Sequence, residues 1–193
     1  MSKKPPKVLF NRITLIGIGL IGSSIARRVK RDGLANHIAV SARTQESLDK
    51  AVNLGIADEI SLNQKDSVKD SDLIIICSPI GAYGDIIKNI SSGLKPGAIL
   101  SDVGSVKQAV INDLSPYKPE DVHLIPAHPV AGTEHSGPAA GFPELFEDRW
   151  CIITPTDQTN KTALNQMKEF WKSLGSNIEI MEPKHHDLVM AMT

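Results

Sequence analysis

The sequence predicts an α/β protein with a doubly wound, mainly parallel sheet. Short runs rich in Ile, Val and Leu alternate with longer amphipathic segments, which is the pattern of parallel strands covered by helices. The apolar runs are nearly continuous, as expected for strands that are buried on both faces. A glycine-rich turn at residues 17–22 joins the first run to the first amphipathic segment. Together these observations indicate a Rossmann-like domain.

The strands and helices are predicted from the period of their apolar residues. The predicted strands are residues 13–16, 37–40, 73–77, 98–100, 123–125, 151–154 and 177–180. The predicted helices are residues 20–31, 46–54, 84–90, 106–114 and 162–174, and a further helix is expected to begin after Pro183. Gly33, Gly55 and Gly175 follow three of these helices, at positions where a left-handed cap ends a helix.

Composition and charge argue against a nucleic-acid partner and a membrane partner. The 21 basic and 22 acidic residues are mixed along the chain and form no basic block, so we expect no nucleic-acid partner. The longest apolar stretch, residues 13–25, is too short and too rich in glycine to span a bilayer. The basic residues 1–7 are not followed by the apolar run of a signal peptide. We therefore expect a cytoplasmic protein without a membrane partner, in which Cys77 and Cys151 are free thiols.

The turn at residues 17–22 has the spacing of a dinucleotide-binding site. Gly17 permits a tight turn from strand to helix, Gly19 lets the backbone approach a pyrophosphate, and Gly22 lets the helix pack closely on the strand. The amides at the helix N-terminus then face the anion. We therefore predict that the whole turn binds NAD+ or NADP+, through Gly17, Ile18, Gly19, Leu20, Ile21 and Gly22.

The end of the second predicted strand bears on the choice between NAD+ and NADP+. NAD-specific proteins usually carry an acidic residue about 20 residues after the glycine turn, and this chain has Ser41, Arg43 and Thr44 there instead. Arg43 and the two hydroxyls could clasp a 2′-phosphate through charge-assisted hydrogen bonds, each contributing about 1.5–3 kcal/mol. The sequence therefore favours NADP+. The alternative is that Arg43 is a solvated residue at the start of a helix.

Two polar turns follow the third and fourth predicted strands. Ser78 and Pro79 come directly after the strand that should lie beside the first one, so we expect them to line the cofactor site. Ser105 follows the next strand, and two interpretations stay open: it caps the following helix, or its hydroxyl reaches the nicotinamide or the substrate. Asp102 and Lys107 lie in the same turn, where a surface ion pair explains them about as well as catalysis does.

Residues 128–137, with the sequence HPVAGTEHSG, place a histidine in a loop rich in Gly and Pro. An imidazole accepts a proton near neutral pH, and removal of a hydride from an alcohol carbon needs a base for the hydroxyl proton. His128 is therefore a candidate general base. A metal site formed by His123, His128 and His135 is a weaker alternative, because no carboxylate or cysteine has a matching spacing, and we expect no bound metal.

Several motifs in one order give the chain a resemblance to the prephenate/arogenate dehydrogenases of tyrosine biosynthesis. The motifs are GIGLIGSS at residues 17–24, SPIGA at 78–82, SDVGSVK at 101–107, HPVAGTEHSG at 128–137, LFEDRWCIITP at 145–155 and HHD at 185–187. They cover nearly the whole chain. The combination of SDVGSVK with HPVAGTEHSG is much more specific than a glycine turn alone.

The resemblance implies an NAD(P)-dependent enzyme that converts prephenate to 4-hydroxyphenylpyruvate, or arogenate to tyrosine, by oxidative decarboxylation. It implies that His128 is the base and that Ser105 orients His128 or the substrate hydroxyl. It also implies that Gly132, Thr133 and Glu134 shape the floor of the substrate site. Although the HHD motif belongs to the resemblance, we expect residues 185–187 to be a solvated helix start without a part in the chemistry.

The family also has a second, all-helical domain that supplies most of a homodimer interface. We expect residues 1–182 to form the cofactor domain and residues 183–193 to begin a connecting helix toward a helical domain absent from this chain. The substrate carboxylates need cations, for which Lys107 and Arg149 are the local candidates. Two other functions stay open: another NAD(P)-dependent oxidoreductase, such as a hydroxyacid dehydrogenase or an imine reductase, and a non-catalytic NAD(P)-binding module.

Overall fold

The computed structural model describes residues 7–192. Its strands are β1 (Phe10–Ile16), β2 (Ala35–Ser41), β3 (Glu59–Ser61), β4 (Leu73–Ile76), β5 (Ile99–Asp102), β6 (His123–Leu124), β7 (Ala127–Pro129), β8 (Trp150–Ile153) and β9 (Asn177–Ile180). Its helices are α1 (Leu20–Asp32), α2 (Gln45–Asn53), α3 (Gln64–Ser67), α4 (Tyr83–Ile90), α5 (Lys107–Leu114), α6 (Lys161–Ser173) and α7 (Pro183–Met190).

The predicted strands and helices are confirmed, with small shifts at their ends. The short elements β3, β7 and α3 were not predicted. The basic N-terminal segment that we compared with a signal peptide lies outside the described residues, except for Lys7. Within residues 7–192, none of the helices combines the length and the apolar character needed to cross a membrane.

Six strands form one parallel sheet in the order β3-β2-β1-β4-β5-β6. In the centre of this sheet, Ile16 of β1 lies opposite Ser41 of β2 on one side and Ile76 of β4 on the other. The direction in which strands are added therefore reverses at β1, and the carboxyl ends of β1 and β4 open a crevice there. The predicted doubly wound α/β fold is confirmed.

Helices cover both faces of the six-stranded sheet. All residues of β4 are buried, and they alternate between two apolar clusters. Leu73 and Ile75 belong to the cluster that includes α1 and α6, whereas Ile74 and Ile76 belong to the cluster that includes α4 and α5. Burial on both faces explains why the sequence of β4 is continuously apolar. Each such side chain contributes about 1.5–3 kcal/mol through removal from water.

The last three strands form a second sheet in the order β7-β8-β9. β7 pairs antiparallel with β8, and β8 pairs parallel with β9. The sequence predicted β8 and β9 but not their separation from the main sheet, because an apolar run indicates burial and not the identity of the neighbouring strand. His128 lies in β7, opposite Ile152, so the prediction that it lies in a loop is wrong. A strand of three residues is too short to show a period in the sequence.

Candidate active site

A cleft of about 510 Å³ lies where β1, β2 and β4 end. This volume is in the range of small-molecule and cofactor sites, about 300–1,000 Å³. Its lining includes the predicted cofactor residues Gly17, Ile18, Gly19, Ser41, Arg43, Thr44, Ser78 and Pro79. The predicted residues Leu20, Ile21 and Gly22 are instead in the first turn of α1. The lining also includes Ser47, Gln64, Ser136, Gly137 and Pro138, which we did not predict as cofactor residues.

Two of the three glycines in the turn are required by the packing of the chain. Gly17 has a φ of +100°, and a Cβ there would lie 2.8 Å from the backbone of Cys77. A Cβ on Gly22 would overlap the carbonyl oxygen of Gly17. Gly19 is different, because nothing lies within 4 Å of a Cβ built there. The backbone at Gly19 is therefore open to the close approach of a ligand.

Helix α1 presents uncapped amides to this open space. Its N-cap is Gly19, which makes no side-chain hydrogen bond, and its first turn contains no acidic residue. Amides at the start of a 13-residue helix favour an anion such as a pyrophosphate. Ser41 adds a buried hydroxyl without a hydrogen-bond partner in the described part of the chain. These features fit a bound dinucleotide.

The other polar residues of the cleft differ in whether their side chains already bond to the protein. Arg43 is exposed at the rim, and it forms no ion pair with any residue from 7 to 192. Thr44 caps α2, since its hydroxyl accepts a hydrogen bond from the amide of Ser47 at 3.3 Å. The Ser78 hydroxyl donates to the carbonyl oxygen of Ile16 at 3.1 Å. Arg43 is therefore the freest of these groups to meet a charged ligand.

His128 is held from β7 by a second imidazole. Its Nδ1 lies 2.9 Å from Nε2 of His186, and the two rings meet edge to face at 72°. Burial above all, together with Lys107 and His186 and against the opposing effect of Asp187, lowers the pKa of His128 to about 4. The imidazole is therefore neutral at pH 7, which is the form that can accept a proton.

The HHD motif is not a solvated helix start, because His186 is fully buried. Nδ1 of His186 lies 2.8 Å from Oδ1 of Asp187. Asp187 also accepts hydrogen bonds from the backbone amides of Lys107 at 2.7 Å and Gln108 at 2.9 Å. Our expectation was wrong because α7 packs on α5, and this contact joins residues that are 80 positions apart in the sequence.

The ionisation of Asp187 follows from these contacts. Burial acts to raise the pKa of Asp187, but the hydrogen bonds from the amides of Lys107 and Gln108 and from His186 lower it more. The pKa of Asp187 therefore lies below its ordinary value, and the group is a carboxylate at neutral pH.

Asp102 and Lys107 form a buried ion pair and not a surface pair. Both side chains have zero exposure, and Nζ of Lys107 lies 2.6 Å from Oδ2 of Asp102. Nζ of Lys107 also donates to the carbonyl oxygen of Ala127 at 2.6 Å, and the amide of Ala127 donates to Oδ1 of Asp102 at 3.2 Å. The pair therefore holds both backbone groups of the residue before His128. Because Lys107 is enclosed, it is not available to a substrate carboxylate.

Ser105 lies on an exposed turn between β5 and α5. The N-cap of α5 is Val106, and the amides at its start bond to Asp187, so the interpretation of Ser105 as a helix cap is wrong. No hydrogen bond joins Ser105 to His128 among residues 7–192. Of the two roles that the family resemblance implies for Ser105, orientation of His128 would need this hydrogen bond, whereas orientation of the substrate hydroxyl would not.

The segment that follows His128 runs to the cofactor cleft. Gly132, Thr133 and Glu134 are exposed in its first part. Residues 136–138 then line the cleft. Beyond them the amide of Phe142 donates to the hydroxyl of Ser24 at 3.1 Å, which attaches the segment to α1. One continuous piece of chain therefore connects the candidate base to the candidate cofactor site.

The other two histidines of the weaker metal-site alternative lie apart from His128, whereas Cys77 lines the cofactor cleft and Cys151 lies in β8, beside β7. His123 is in β6, which belongs to the other sheet, and His135 is exposed. Residues 7–192 contain no group of three His, Cys, Asp or Glu side chains that could hold a metal ion. Cys77 and Cys151 are free thiols, as predicted.

Curated relatives with similar sequences are dehydrogenases. The chain is 37% identical over 185 residues to cyclohexadienyl dehydrogenase of Zymomonas mobilis, and this match covers 96% of the chain and 63% of the relative. It is 32% identical over 181 residues to prephenate dehydrogenase of Bacillus subtilis, which covers 93% of the chain and 49% of the relative. The chain thus spans about half to two thirds of the length of these relatives.

Solved structures and a family profile agree with these relatives. Prephenate dehydrogenase from Aquifex aeolicus, in complex with hydroxyphenyl propionate and NAD+, superposes with a TM-score of 0.86 at 33% identity, over 93% of this chain and 62% of the other. Synechocystis arogenate dehydrogenase has a TM-score of 0.86 at 29% identity, over 93% and 63% of the two chains. Residues 25–180 match the profile of the prephenate dehydrogenase nucleotide-binding domain. The chain therefore belongs to the prephenate dehydrogenase family.

Proposed function

We propose that this chain is the cofactor-binding and proton-accepting domain of a prephenate or arogenate dehydrogenase. The observation that carries the proposal is the connection between the two parts of the site: the segment that starts at His128 reaches the cofactor cleft at residues 136–138. A base and an anion-binding cleft on one segment match a reaction that removes a proton and a hydride from one alcohol group. Membership of the family supports the same reaction.

In the proposed reaction the hydroxyl-bearing ring carbon loses a hydride and His128 accepts the hydroxyl proton. When bound, the nicotinamide cofactor supplies the hydride acceptor. The carbon–carbon bond to the ring carboxylate breaks, carbon dioxide leaves, and the bonding electrons complete an aromatic ring. The proton on His128 returns to the phenolic oxygen. The products are 4-hydroxyphenylpyruvate or tyrosine, carbon dioxide and the reduced cofactor.

We propose Ser105, Gly132, Thr133 and Glu134 as the substrate side of the site. These four residues are exposed. Ser105 follows β5, which ends at Asp102, and residues 132–134 follow β7, which contains His128. Arg149 is exposed and stays a candidate cation for a substrate carboxylate. Lys107 is no longer a candidate, because its side chain is buried. By resemblance to the family we further propose that the native protein is cytoplasmic and that it is a homodimer. Light scattering after size-exclusion chromatography tests whether it is a homodimer.

We propose a preference for NADP+ over NAD+. Arg43 supports it, because this exposed guanidinium lies at the end of β2 in place of an acidic residue and has no ion-pair partner within residues 7–192. One charge-assisted hydrogen bond of about 1.5–3 kcal/mol corresponds to a factor of about 10–150 in affinity. We expect Arg43→Met to raise the Kd of NADP+ by this factor and to change the Kd of NAD+ less than about threefold. An equal change in both Kd values would contradict the preference.

The decisive experiment measures NADH or NADPH fluorescence in the native full-length protein. Prephenate and arogenate are each supplied with NAD+ and with NADP+, so that substrate and cofactor are decided together. We expect reduction of the cofactor with at least one of these two substrates, and we expect none with lactate or with a cyclic amine, the hydride donor that an imine reductase would oxidise. If the protein binds the cofactor but neither prephenate nor arogenate reduces it, the chain is a binding module. Reduction of the cofactor with lactate or the cyclic amine alone would identify another oxidoreductase.

A further inference from the structure

A chain of hydrogen bonds runs from the start of α5 to His128. The amides of Lys107 and Gln108 donate to the two carboxylate oxygens of Asp187, at 2.7 and 2.9 Å. Asp187 meets Nδ1 of His186 at 2.8 Å, and Nε2 of His186 meets Nδ1 of His128 at 2.9 Å. These hydrogen bonds link α5, α7 and β7, and the last of them is made by His128, the proposed base.

The direction of these hydrogen bonds is fixed at the Asp187 end. A carboxylate only accepts hydrogen bonds, so Nδ1 of His186 must carry the hydrogen that it shares with Asp187. A neutral His186 then has a bare Nε2, which accepts from Nδ1 of His128. Above about pH 7 an imidazole is ordinarily neutral, so His128 has its hydrogen on Nδ1 and a bare Nε2. Among residues 7–192, Nε2 of His128 has no hydrogen-bond partner.

We propose that His186 and Asp187 are positioning residues that set the tautomer of His128 and leave its Nε2 as the proton-accepting atom. The identity of His128 as the base rests on the proposed function, but the tautomer is a property of the fold alone. The complete burial of His186 excludes water as an alternative partner for its ring. The backbone amides of α5 hold Asp187 in the ionised, accepting state. The packing of α7 on α5 thus reaches the candidate base.

A nitrogen NMR experiment tests the tautomer directly. In the native full-length protein labelled with ¹⁵N at histidine, long-range proton–nitrogen spectra at pH 8 report which ring nitrogen carries the hydrogen. We expect a protonated Nδ1 and a bare Nε2 at both His128 and His186. His128→Asn and His186→Gln assign the signals. A protonated Nε2 on His128 in the wild-type protein would overturn the proposal, whatever the activity.

Kinetics of variants test the consequence. Asp187→Asn can donate to His186, which reverses the hydrogen bonds and protonates Nε2 of His128. The corresponding change beside the histidine of a serine protease lowers kcat about 10,000-fold, and with a second imidazole in between we expect at least about a 100-fold loss here. We expect KM and the cofactor Kd to stay within about threefold, because neither residue is proposed to touch either ligand.

Matched variants separate positioning from stability. His186→Gln keeps the hydrogen bonds of Asp187 to α5 and removes only the defined acceptor for His128, so it tests the proposal even where Asp187→Asn impairs folding. We expect it to lower kcat at least about tenfold. His185→Gln changes an exposed neighbour on the same helix and is expected to leave kcat unchanged. A low kcat in Asp187→Asn with Nδ1 of His128 still protonated would overturn the proposal in favour of a structural role.

The two hypotheses fail in different ways. The proposed function fails when wild-type protein does not oxidise prephenate or arogenate, even with the expected tautomer in the spectra. The positioning role fails on the spectra, or on an unchanged kcat in both variants, while the wild-type protein still oxidises its substrate.

Discussion

The two sheets hold the two parts of the site in different ways. On the six-stranded sheet the turn at residues 17–22 is one continuous piece of sequence, and it offers mainly backbone amides to a ligand. On the three-stranded sheet His128 depends on side chains that are distant in sequence, with His186 at a separation of 58 residues. An anion site built from backbone therefore needs only a local motif, whereas the state of a base needs tertiary contacts. Variants of the two parts should therefore differ in what they change.

Replacing the proposed base should have the largest effect. We expect His128→Asn to lower kcat by a factor of about 100–10,000, because positioned proton transfer contributes that much. Cofactor affinity should not change, since His128 does not line the cofactor cleft. Steady-state kinetics and a fluorescence titration measure the two quantities. His135→Asn, at an exposed histidine of the same segment, is the control, and an unchanged kcat in His128→Asn would remove the base from the mechanism.

Breaking the buried ion pair behind β7 should cost stability. Lys107→Met leaves the fully buried carboxylate of Asp102 without its counter-charge, and we expect the free energy of unfolding to fall by about 3–5 kcal/mol. Lys95→Met, which breaks the partly exposed pair with Asp72, should cost less than about 1 kcal/mol. Urea denaturation compares the two variants. Equal losses would show that burial of the Asp102–Lys107 pair has no special weight.

The glycines of the turn should separate into structural and ligand-facing positions. Gly22→Ala forces a Cβ against the backbone of Gly17, so we expect a loss of about 1–3 kcal/mol in stability. Gly19→Ala meets nothing within 4 Å and should change stability by less than about 1 kcal/mol. We expect Gly19→Ala to raise the cofactor Kd about tenfold or more, which corresponds to 1.4 kcal/mol. Unchanged binding in Gly19→Ala would mean that the ligand does not approach this backbone.

The pH dependence of stability gives a further test of the surroundings of His128. The folded pKa of His128 is about 4, below its ordinary 6.5, mainly because of burial, with smaller electrostatic contributions from Lys107 and His186 that Asp187 opposes. The unfolded chain therefore binds more protons between these two values, and this group lowers the free energy of unfolding as the pH falls from about 6.5 to about 4. The loss should be smaller in His128→Asn. Denaturation curves of both proteins at several pH values measure the difference, and parallel curves would contradict it.

Much of the cofactor part of the site could be predicted from the sequence because its signals are local. The glycine spacing predicted the turn, and the polar residues Ser41, Arg43 and Ser78 were found because they directly follow buried strands. The contribution of residues 136–138 to the cleft was missed, since it depends on how the long segment folds back onto α1.

The part around His128 was predicted less well for a physical reason. The motif identified His128, but the sequence indicated neither that β7 is a strand nor that Asp102 and Lys107 are buried. Charged residues next to a strand end are usually exposed, and only the enclosure of both side chains shows that they hold the backbone of Ala127. The HHD motif was the one signal in the sequence for His186. Because its three residues are ionisable, the sequence predicted a solvated helix start there.

The sequence by itself determined the α/β class, the succession of the main strands along the chain, the glycine turn and the candidate base. These follow from local periodicity and from residue types whose chemistry needs no partner. Only the tertiary structure decided which strands leave the main sheet, which ion pair is buried and which imidazole lies beside His128. A hydrogen bond between residues far apart in sequence is set by the packing of whole elements, such as α7 on α5, and no local pattern reports that packing.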